Sequence, residues 1–262
     1  MKLDGCTALI TGASAGLGRE FARQLAGRAE TLLLVARRKD RMEELRAELT
    51  RSFPRLNVQV FESDLSRIEQ VEQLGKELER DGLRIDFLIN NAGLGDRGHF
   101  ATANPQRVQD MLLVNTVALT ALTRRYLPAM IAQKRGAILN VSSCASFLPM
   151  KSFAVYAATK AYVTSFSEAL RMEVADSGVT VTALCPGPVH TEFDDVALRP
   201  NEPQQKAPEF TYVSAEQVVR HALKGVESGR PIIIPGFAMK LSMTIVRLMP
   251  APFLRLTSRL AR

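Results

Sequence analysis

The sequence predicts an α/β fold in which a parallel sheet is covered by helices on both faces. Three observations carry that reading. Short apolar runs alternate with longer amphipathic stretches, the rhythm of successive βαβ units. Runs such as Thr-Leu-Leu-Leu-Val-Ala at 31–36 are apolar almost throughout, as a strand buried on both faces requires. A glycine-rich turn follows the first run and opens an amphipathic helix.

The elements follow in order. The first strand is expected at 7–10 and the helix after its turn at 16–26. Strand 31–36 leads into a helix at 39–52, and strand 57–62 into one at 68–81. A fourth strand, 87–90, precedes the longest helical stretch, 105–133. Strand 136–142 precedes helix 154–176, and strand 179–185 is followed at a distance by helix 215–228 and strand 231–234. Ser214 and Gln217 read as a capping box that starts the helix at 215. No internal repeat and no Pro-, Gly- or Ser-rich linker divides the chain, so residues 1–262 are expected to form one domain.

Two segments break the rhythm. Residues 191–211 hold acidic pairs, three prolines and little periodicity, the profile of a lid extending to about 213. The tail, 237–262, mixes apolar residues with Lys240, Arg247, Arg255, Arg259 and Arg262, and is interrupted by Pro250 and Pro252.

Composition narrows the function classes. Apolar residues make up 46% and charged residues 23%, which argues against disorder. Cys6, Cys144 and Cys185 form no CxxC pair and no grouping with the three histidines, so neither a disulfide framework nor a metal site is expected. A reducing cytoplasm fits this cysteine usage, and the N-terminal residues lack the layout of a signal peptide. The net charge of +7 is spread along the chain without an aromatic-interleaved platform, which speaks for an anionic cofactor rather than nucleic acid.

The first strand ends in Thr11-Gly12-Ala13-Ser14-Ala15-Gly16-Leu17-Gly18. Gly12 permits the tight turn, Gly16 lets the backbone approach a pyrophosphate, and Gly18 lets the helix pack on the strand. Helix-start amides and the helix dipole favour the phosphates. At the tip of the second strand, a carboxylate would take the ribose 2′-hydroxyl of NAD; this chain has Val35-Ala36-Arg37-Arg38 instead. Arg37 suits a 2′-phosphate through charge-assisted hydrogen bonds, so NADP(H) is the expected cofactor.

Tyr156 and Lys160 lie four apart in a helical stretch, on one face. A lysine ammonium ~4 Å from the phenol would favour tyrosinate by roughly 4 kcal/mol at an effective dielectric of about 20. That would bring the tyrosine toward the pH range where proton transfer is effective. Ser143 follows an apolar strand, at the carboxyl edge of the sheet where ligands of doubly wound folds bind. Asn90-Asn91-Ala92-Gly93 ends another strand, and Asn115 interrupts an otherwise apolar helical run.

Together these residues resemble the short-chain dehydrogenase/reductase family. TGASAGLG, Asp64 in Ser-Asp-Leu, NNAG at 90–93, Asn115, Ser143, YAATK at 156–160 and PGPVHT at 186–191 stand in family order over roughly 5–235. The resemblance implies a Rossmann-like, doubly wound parallel seven-stranded sheet and a catalytic tetrad of Asn115, Ser143, Tyr156 and Lys160. Tyr156 would protonate the carbonyl oxygen, Ser143 would position it, and Lys160 would lower the Tyr156 pKa and hold the nicotinamide ribose. Asn115 would bend its helix and anchor a relay water. Cofactor contacts are implied at Gly12, Ser14, Gly16, Leu17, Gly18, Asp64 on the adenine, and Asn90, Ala92 and Gly93. Val114, Tyr156, Lys160, Pro186, Gly187, Val189 and Thr191 complete them. The chain departs from many NADP-using members in having Ala15 where they carry a basic residue, which leaves the preference to Arg37, with Arg38 and Ser14 assisting.

The substrate pocket is expected from 94–99, 144–155 and the lid. Phe147, Leu148, Met150, Phe153 and Val155 suggest an apolar wall and a hydrophobic ketone or aldehyde. His99 and His190 are expected to be structural or solvated. The tail fits either an anionic membrane surface or packing over the lid or a neighbouring subunit, and the two prolines favour packing. The resemblance implies a homodimer or homotetramer through the helices at 105–133 and 154–176. Two other readings are a non-catalytic NADP(H)-binding sensor or scaffold, and a methyltransferase. An intact tetrad speaks against the first, and the missing acid at the second strand tip against the second.

Overall fold

The computed structural model describes residues 2–199 and 208–249 of the 262-residue chain. Seven parallel strands form one sheet in the order β3-β2-β1-β4-β5-β6-β7. They are β1 (Thr7–Thr11), β2 (Thr31–Ala36), β3 (Asn57–Glu62), β4 (Phe87–Asn90), β5 (Gly136–Val141), β6 (Val179–Leu184) and β7 (Ile232–Ile233). The helices are α1 (Gly16–Leu25), α2 (Lys39–Ser52), α3 (Ile68–Arg80), α4 (Pro105–Leu112), α5 (Leu119–Ala132) and α6 (Ala154–Glu173), then α7 (Glu192–Ala197), α8 (Ala215–Glu227) and α9 (Phe237–Leu248). The expected strands and the long helices are present, with ends moved by one to three residues where chain-end hydrogen bonds fray.

Both faces of the sheet are dry because the strands alternate apolar residues to two separate cores. On one face Ala8, Ile10, Leu32 and Leu34 pack under Phe21, Leu25, Met42 and Val219. On the other, Leu9, Leu33, Val35 and Leu88 meet Leu74, Leu78, Leu122 and Leu170. Register locks the centre: Leu9 stands opposite Leu33 on β2 and Leu88 on β4. Each such fully buried side chain contributes roughly 1.5–3 kcal/mol through loss of apolar surface to water.

Strand order reverses between β1 and β4, with all strands still parallel, which opens a crevice beyond their carboxyl ends. Three departures from the expected elements bear on that crevice. The stretch expected as one helix, 105–133, is interrupted by a π-helical segment, Leu113–Ala118, between α4 and α5. Asn115 lies inside it, and such wide turns inside an α-helix concentrate at functional sites. The lid is not aperiodic: Thr191 accepts the Phe193 amide (3.3 Å) and starts α7. Residues 200–207 of the expected lid lie outside the described residues. The tail begins as a regular helix, α9, while 250–262, including Pro250 and Pro252, lie outside the described residues.

α7 is clamped to the loop after β4. Arg97 pairs in parallel with Leu198, and the Arg97 amide donates to the Ala197 carbonyl (2.7 Å). The buried Asp96 carboxylate takes two hydrogen bonds from Arg199 (2.6 and 2.8 Å) and a longer contact from Arg107 (3.3 Å). Ser214 Oγ accepts the Gln217 amide (3.2 Å) and caps α8 as expected.

Candidate active site

A cavity of about 820 Å³ occupies the crevice. Gly12, Ser14, Gly16 and Leu17 form its floor, at the turn between β1 and α1. Gly12 has φ +68° and Gly16 φ +51°, backbone conformations that favour glycine. A Cβ on Gly12 would stand 2.9 Å from Ala92 Cα, and one on Gly16 would stand 3.4 Å from Thr191. Ala15, the residue before α1, offers no side-chain cap, so the helix-start amides point to the cavity without one. Gly18 does not line the cavity; a Cβ there would collide with the Gly12 carbonyl, so it serves helix–strand packing.

The second strand tip delivers Arg37 and Arg38 to one end of the cavity. Arg38 donates to Ser14 Oγ (3.3 Å) and, with Arg41, grips the Glu192 carboxylate of α7 (3.0 and 2.7 Å). Asp64 also lines this end. Burial works against its charge, but the Ser66 amide and hydroxyl (3.0 and 2.8 Å) prevail and hold its carboxyl below the usual range.

Asn90 requires correction as a cofactor contact. Its side chain is buried and donates to Thr123 Oγ1 (3.0 Å) and Asn140 Oδ1 (2.9 Å), away from the cavity. Strand alternation turns Asn90 into the core, and the next residue takes the expected place. Asn91 lines the cavity and donates through Nδ2 to the Thr11 carbonyl (2.8 Å), tying the β4 end to the glycine turn. The Asn-Asn pair contained this signal, since Asn91 is the first residue past a short strand that is buried throughout. Ala92, Gly93, Val114, Pro186, Gly187, Val189 and Thr191 all line the cavity.

Tyr156 and Lys160 sit one turn apart on α6, both buried, with Ser143 across from them at the end of β5. Ser143 Oγ accepts the Ala145 amide (3.1 Å), which leaves its hydroxyl hydrogen to donate. Phe153 and Phe193 flank the Tyr156 ring at centroid distances of 4.6 and 5.4 Å and exclude water from it. Asn115 stands behind the cavity. Its Nδ2 donates to the Leu94 carbonyl (2.9 Å) and Thr159 Oγ1 (3.0 Å), while its Oδ1 accepts the Leu94 amide (2.8 Å). The asparagine thus couples the π-helical segment to the loop after β4 and to α6. Gly93 packs beside them, where a Cβ would make ordinary contact with Lys160 Nζ (3.4 Å) and Asn115 Oδ1 (3.5 Å).

The electrostatics run opposite to the expectation for the phenol. Burial pushes Tyr156 upward, a Ser143 hydrogen bond pulls it down, and the Asp194 carboxylate pushes it up again. Lys160 Nζ donates to the Val141 carbonyl (2.8 Å) and stands 5.7 Å from the Tyr156 ring centroid, so it does not sit on the phenol. Burial instead drives the Lys160 ammonium down, to about 8. The group poised near neutrality is the lysine.

The substrate end is walled by Leu94, Leu148, Met150, Phe153, Phe193, Met239 and Met243. Phe147 and Val155, expected here, do not line it; the Phe147 ring lies under the Arg247 guanidinium (5.4 Å). His190 stacks on Tyr212 (4.2 Å) with Nε2 3.0 Å from Glu209, and His99 is exposed, so neither histidine faces the cavity. Phe193 and the α9 methionines went unnamed in the sequence because only long-range packing brings them to the site. Among the described residues no group of three or more His, Cys, Asp or Glu side chains is drawn together.

Comparison with known proteins meets this geometry. The short chain dehydrogenase family model matches residues 6–201. A very-long-chain 3-oxoacyl-CoA reductase from Phaeosphaeria nodorum is 32% identical over 207 residues, 76% of this chain and 61% of that protein. This chain therefore spans about three fifths of the length of that curated relative. A short-chain dehydrogenase from Sphingobium yanoikuyae in complex with NADPH superposes with a TM-score of 0.83 at 32% identity, covering 92% of this chain and 91% of its own. Another, from Burkholderia phymatum in complex with NAD, has a TM-score of 0.80 at 25% identity, covering 93% of each chain. The chain belongs to the short-chain dehydrogenase/reductase family. The seven-stranded parallel sheet is the fold of this family's solved members.

Proposed function

We propose that the protein is an NADP(H)-dependent reductase or dehydrogenase of hydrophobic ketones, aldehydes or their alcohols. The observation that carries this reading is the meeting of Tyr156, Ser143 and Lys160 at an apolar chamber that continues into the glycine cradle. The cradle fits a dinucleotide: positive-φ glycines, uncapped α1 amides and the Arg37–Arg38 tip stand along one wall. Bound there, the nicotinamide would supply or accept the hydride. Tyr156 donates its phenolic proton to the carbonyl oxygen as negative charge develops on it. Ser143 donates a hydrogen bond to the same oxygen, a preorganised stabilisation of the transition state. The Lys160 ammonium offsets the charge left on the phenolate. Asn115 acts through Leu94 and Thr159 as a positioning residue. The apolar wall excludes water and favours a bulky, uncharged carbonyl.

Loss of NADPH absorbance with a panel of aliphatic, aromatic, steroid and acyl-thioester carbonyls tests the reading. Turnover is expected with the hydrophobic members, and none across the panel would favour a binding protein.

The reductive pH profile follows from Lys160. Below about 8 its ammonium is present to offset the phenolate; above that value it loses its proton, so kcat/KM is expected to be flat at lower pH and to fall above about 8. In Lys160→Arg the falling limb should move to higher pH, because a guanidinium keeps its proton.

Glu192 gives a further expectation. Its carboxylate holds Arg38 and Arg41, and a 2′-phosphate must compete for the same guanidiniums. Because these are exposed pairs, the effect is modest: Glu192→Gln is expected to tighten NADP(H) by roughly threefold. Fluorescence titration checks it, and weaker binding would assign Glu192 a supporting role instead.

A homodimer or homotetramer is proposed through α4, the π-helical segment, α5 and α6, whose outward sides expose Leu112, Val117, Ile131, Tyr162 and Met172. Light scattering of Met172→Glu, expected to lower the mass, tests this.

A further inference from the structure

α9 has two faces with different occupants. Its inner residues Met239 and Met243 line the substrate chamber, with Met239 pressed against Gly187. Its outer residues Phe237, Leu241, Ile245 and Leu248 are 84%, 52%, 51% and 80% exposed, and no residue of the helix is fully buried. At ~100° per residue these four side chains fall within an arc of about 80°, a continuous apolar stripe rather than scattered exposure. Lys240 flanks the stripe on the same helix, and Arg247 on that side reaches Glu168 (3.7 Å).

Charge identifies what the stripe meets. Between 228 and 249 the charged residues are Arg230, Lys240 and Arg247, with no acidic one. A second copy seated on the stripe by a twofold axis would bring like charges together. A single twelve-residue helix also offers far less than the ~800 Å² per partner of a stable protein interface. An anionic lipid surface suits both features, since apolar side chains enter the acyl boundary while lysine and arginine meet the head groups. Among the described residues no helix is long and apolar enough to cross a membrane, so attachment is peripheral. The prolines that argued against a long surface helix do not oppose this one, which ends before Pro250.

We propose that α9 docks the protein on anionic membranes through Phe237, Leu241, Ile245 and Leu248, which places the chamber wall made by Met239 and Met243 next to the bilayer. A lipophilic carbonyl could then pass from lipid to chamber along one helix; this last step rests on the function proposed above, whereas the docking does not.

The test uses the full chain and sedimentation with vesicles of phosphatidylcholine, alone or mixed with phosphatidylglycerol. Salt-sensitive binding to the mixed vesicles is expected, weakened by at least about tenfold in Leu241→Ser/Ile245→Ser. Melting temperature and NADPH binding of that variant should match the parent, which separates loss of docking from loss of fold and leaves the enzymatic reading untouched. The chain has no tryptophan, so Phe237→Trp supplies a single reporter whose emission should shift to the blue when mixed vesicles are added. Absence of binding, binding undiminished by the double substitution, or a reporter already buried without vesicles would each overturn the proposal. A change of oligomeric mass in the double variant would do the same, by assigning the face to a second copy.

Discussion

Tyr156→Phe is expected to lower kcat for carbonyl reduction by about a thousandfold while leaving NADPH affinity nearly unchanged. The substitution replaces the hydroxyl by hydrogen on a ring held in place by Phe153 and Phe193, so packing at the site is preserved. What is lost is the proton donor to the developing alkoxide. Ser143 still donates one hydrogen bond to the oxygen, so a residual rate should survive. Because burial raises the phenol's pKa, Tyr156 is protonated across the working range, the correct state for a donor in the reductive direction. In the oxidative direction the same upward pressure must be overcome, and oxidation should therefore accelerate with rising pH. Stopped-flow NADPH oxidation together with a binding titration separates the two quantities. A variant that loses both equally would show that the hydroxyl serves cofactor binding rather than proton donation.

Arg37→Asp is expected to shift the preference between NADP(H) and NAD(H) by about a hundredfold toward NAD(H), from loss of charge-assisted hydrogen bonds worth ~1.5–3 kcal/mol. Arg37 lines the cavity near Asp64, whose carboxyl it helps to keep ionised. Its neighbour Arg38 already shares Ser14 and Glu192, so Arg38 must exchange partners to reach a phosphate, whereas Arg37 has no comparable engagement with Glu192. An introduced aspartate would repel the 2′-phosphate and accept from the ribose hydroxyls of NAD. Dissociation constants for the four cofactor forms measure the change. An unaltered preference would remove Arg37 from the cofactor assignment and move it to Arg38 and Arg41.

The legibility of this chain varied with the range of the forces involved. Strands that are buried on both faces must be apolar throughout, so β2 at 31–36 stands out without any tertiary knowledge. The glycine turn was equally readable, because positive φ at Gly12 and Gly16 restricts the residue type locally. Tyr156 and Lys160 could be placed on one helical face by spacing alone.

Other features lay beyond local rules. Whether Asn90 or Asn91 faced the crevice depended on how β4 seats between β1 and β5, and the core network of Asn90, Asn140 and Thr123 settled it. The π-helical segment around Asn115 arises from its amide bonds to Leu94 and Thr159, residues 21 and 44 positions away in the chain. The expected direction for the Tyr156 pKa followed from a lysine placed on the phenol; folding sent Lys160 Nζ to the Val141 carbonyl and desolvated both groups. Local sequence limited which residues could carry the chemistry, since backbone conformation and side-chain periodicity are properties of a few neighbouring positions. Long-range packing selects which of them face the crevice, which are spent on the core, and where α9 turns its apolar stripe, because burial and desolvation depend on contacts made across the whole fold.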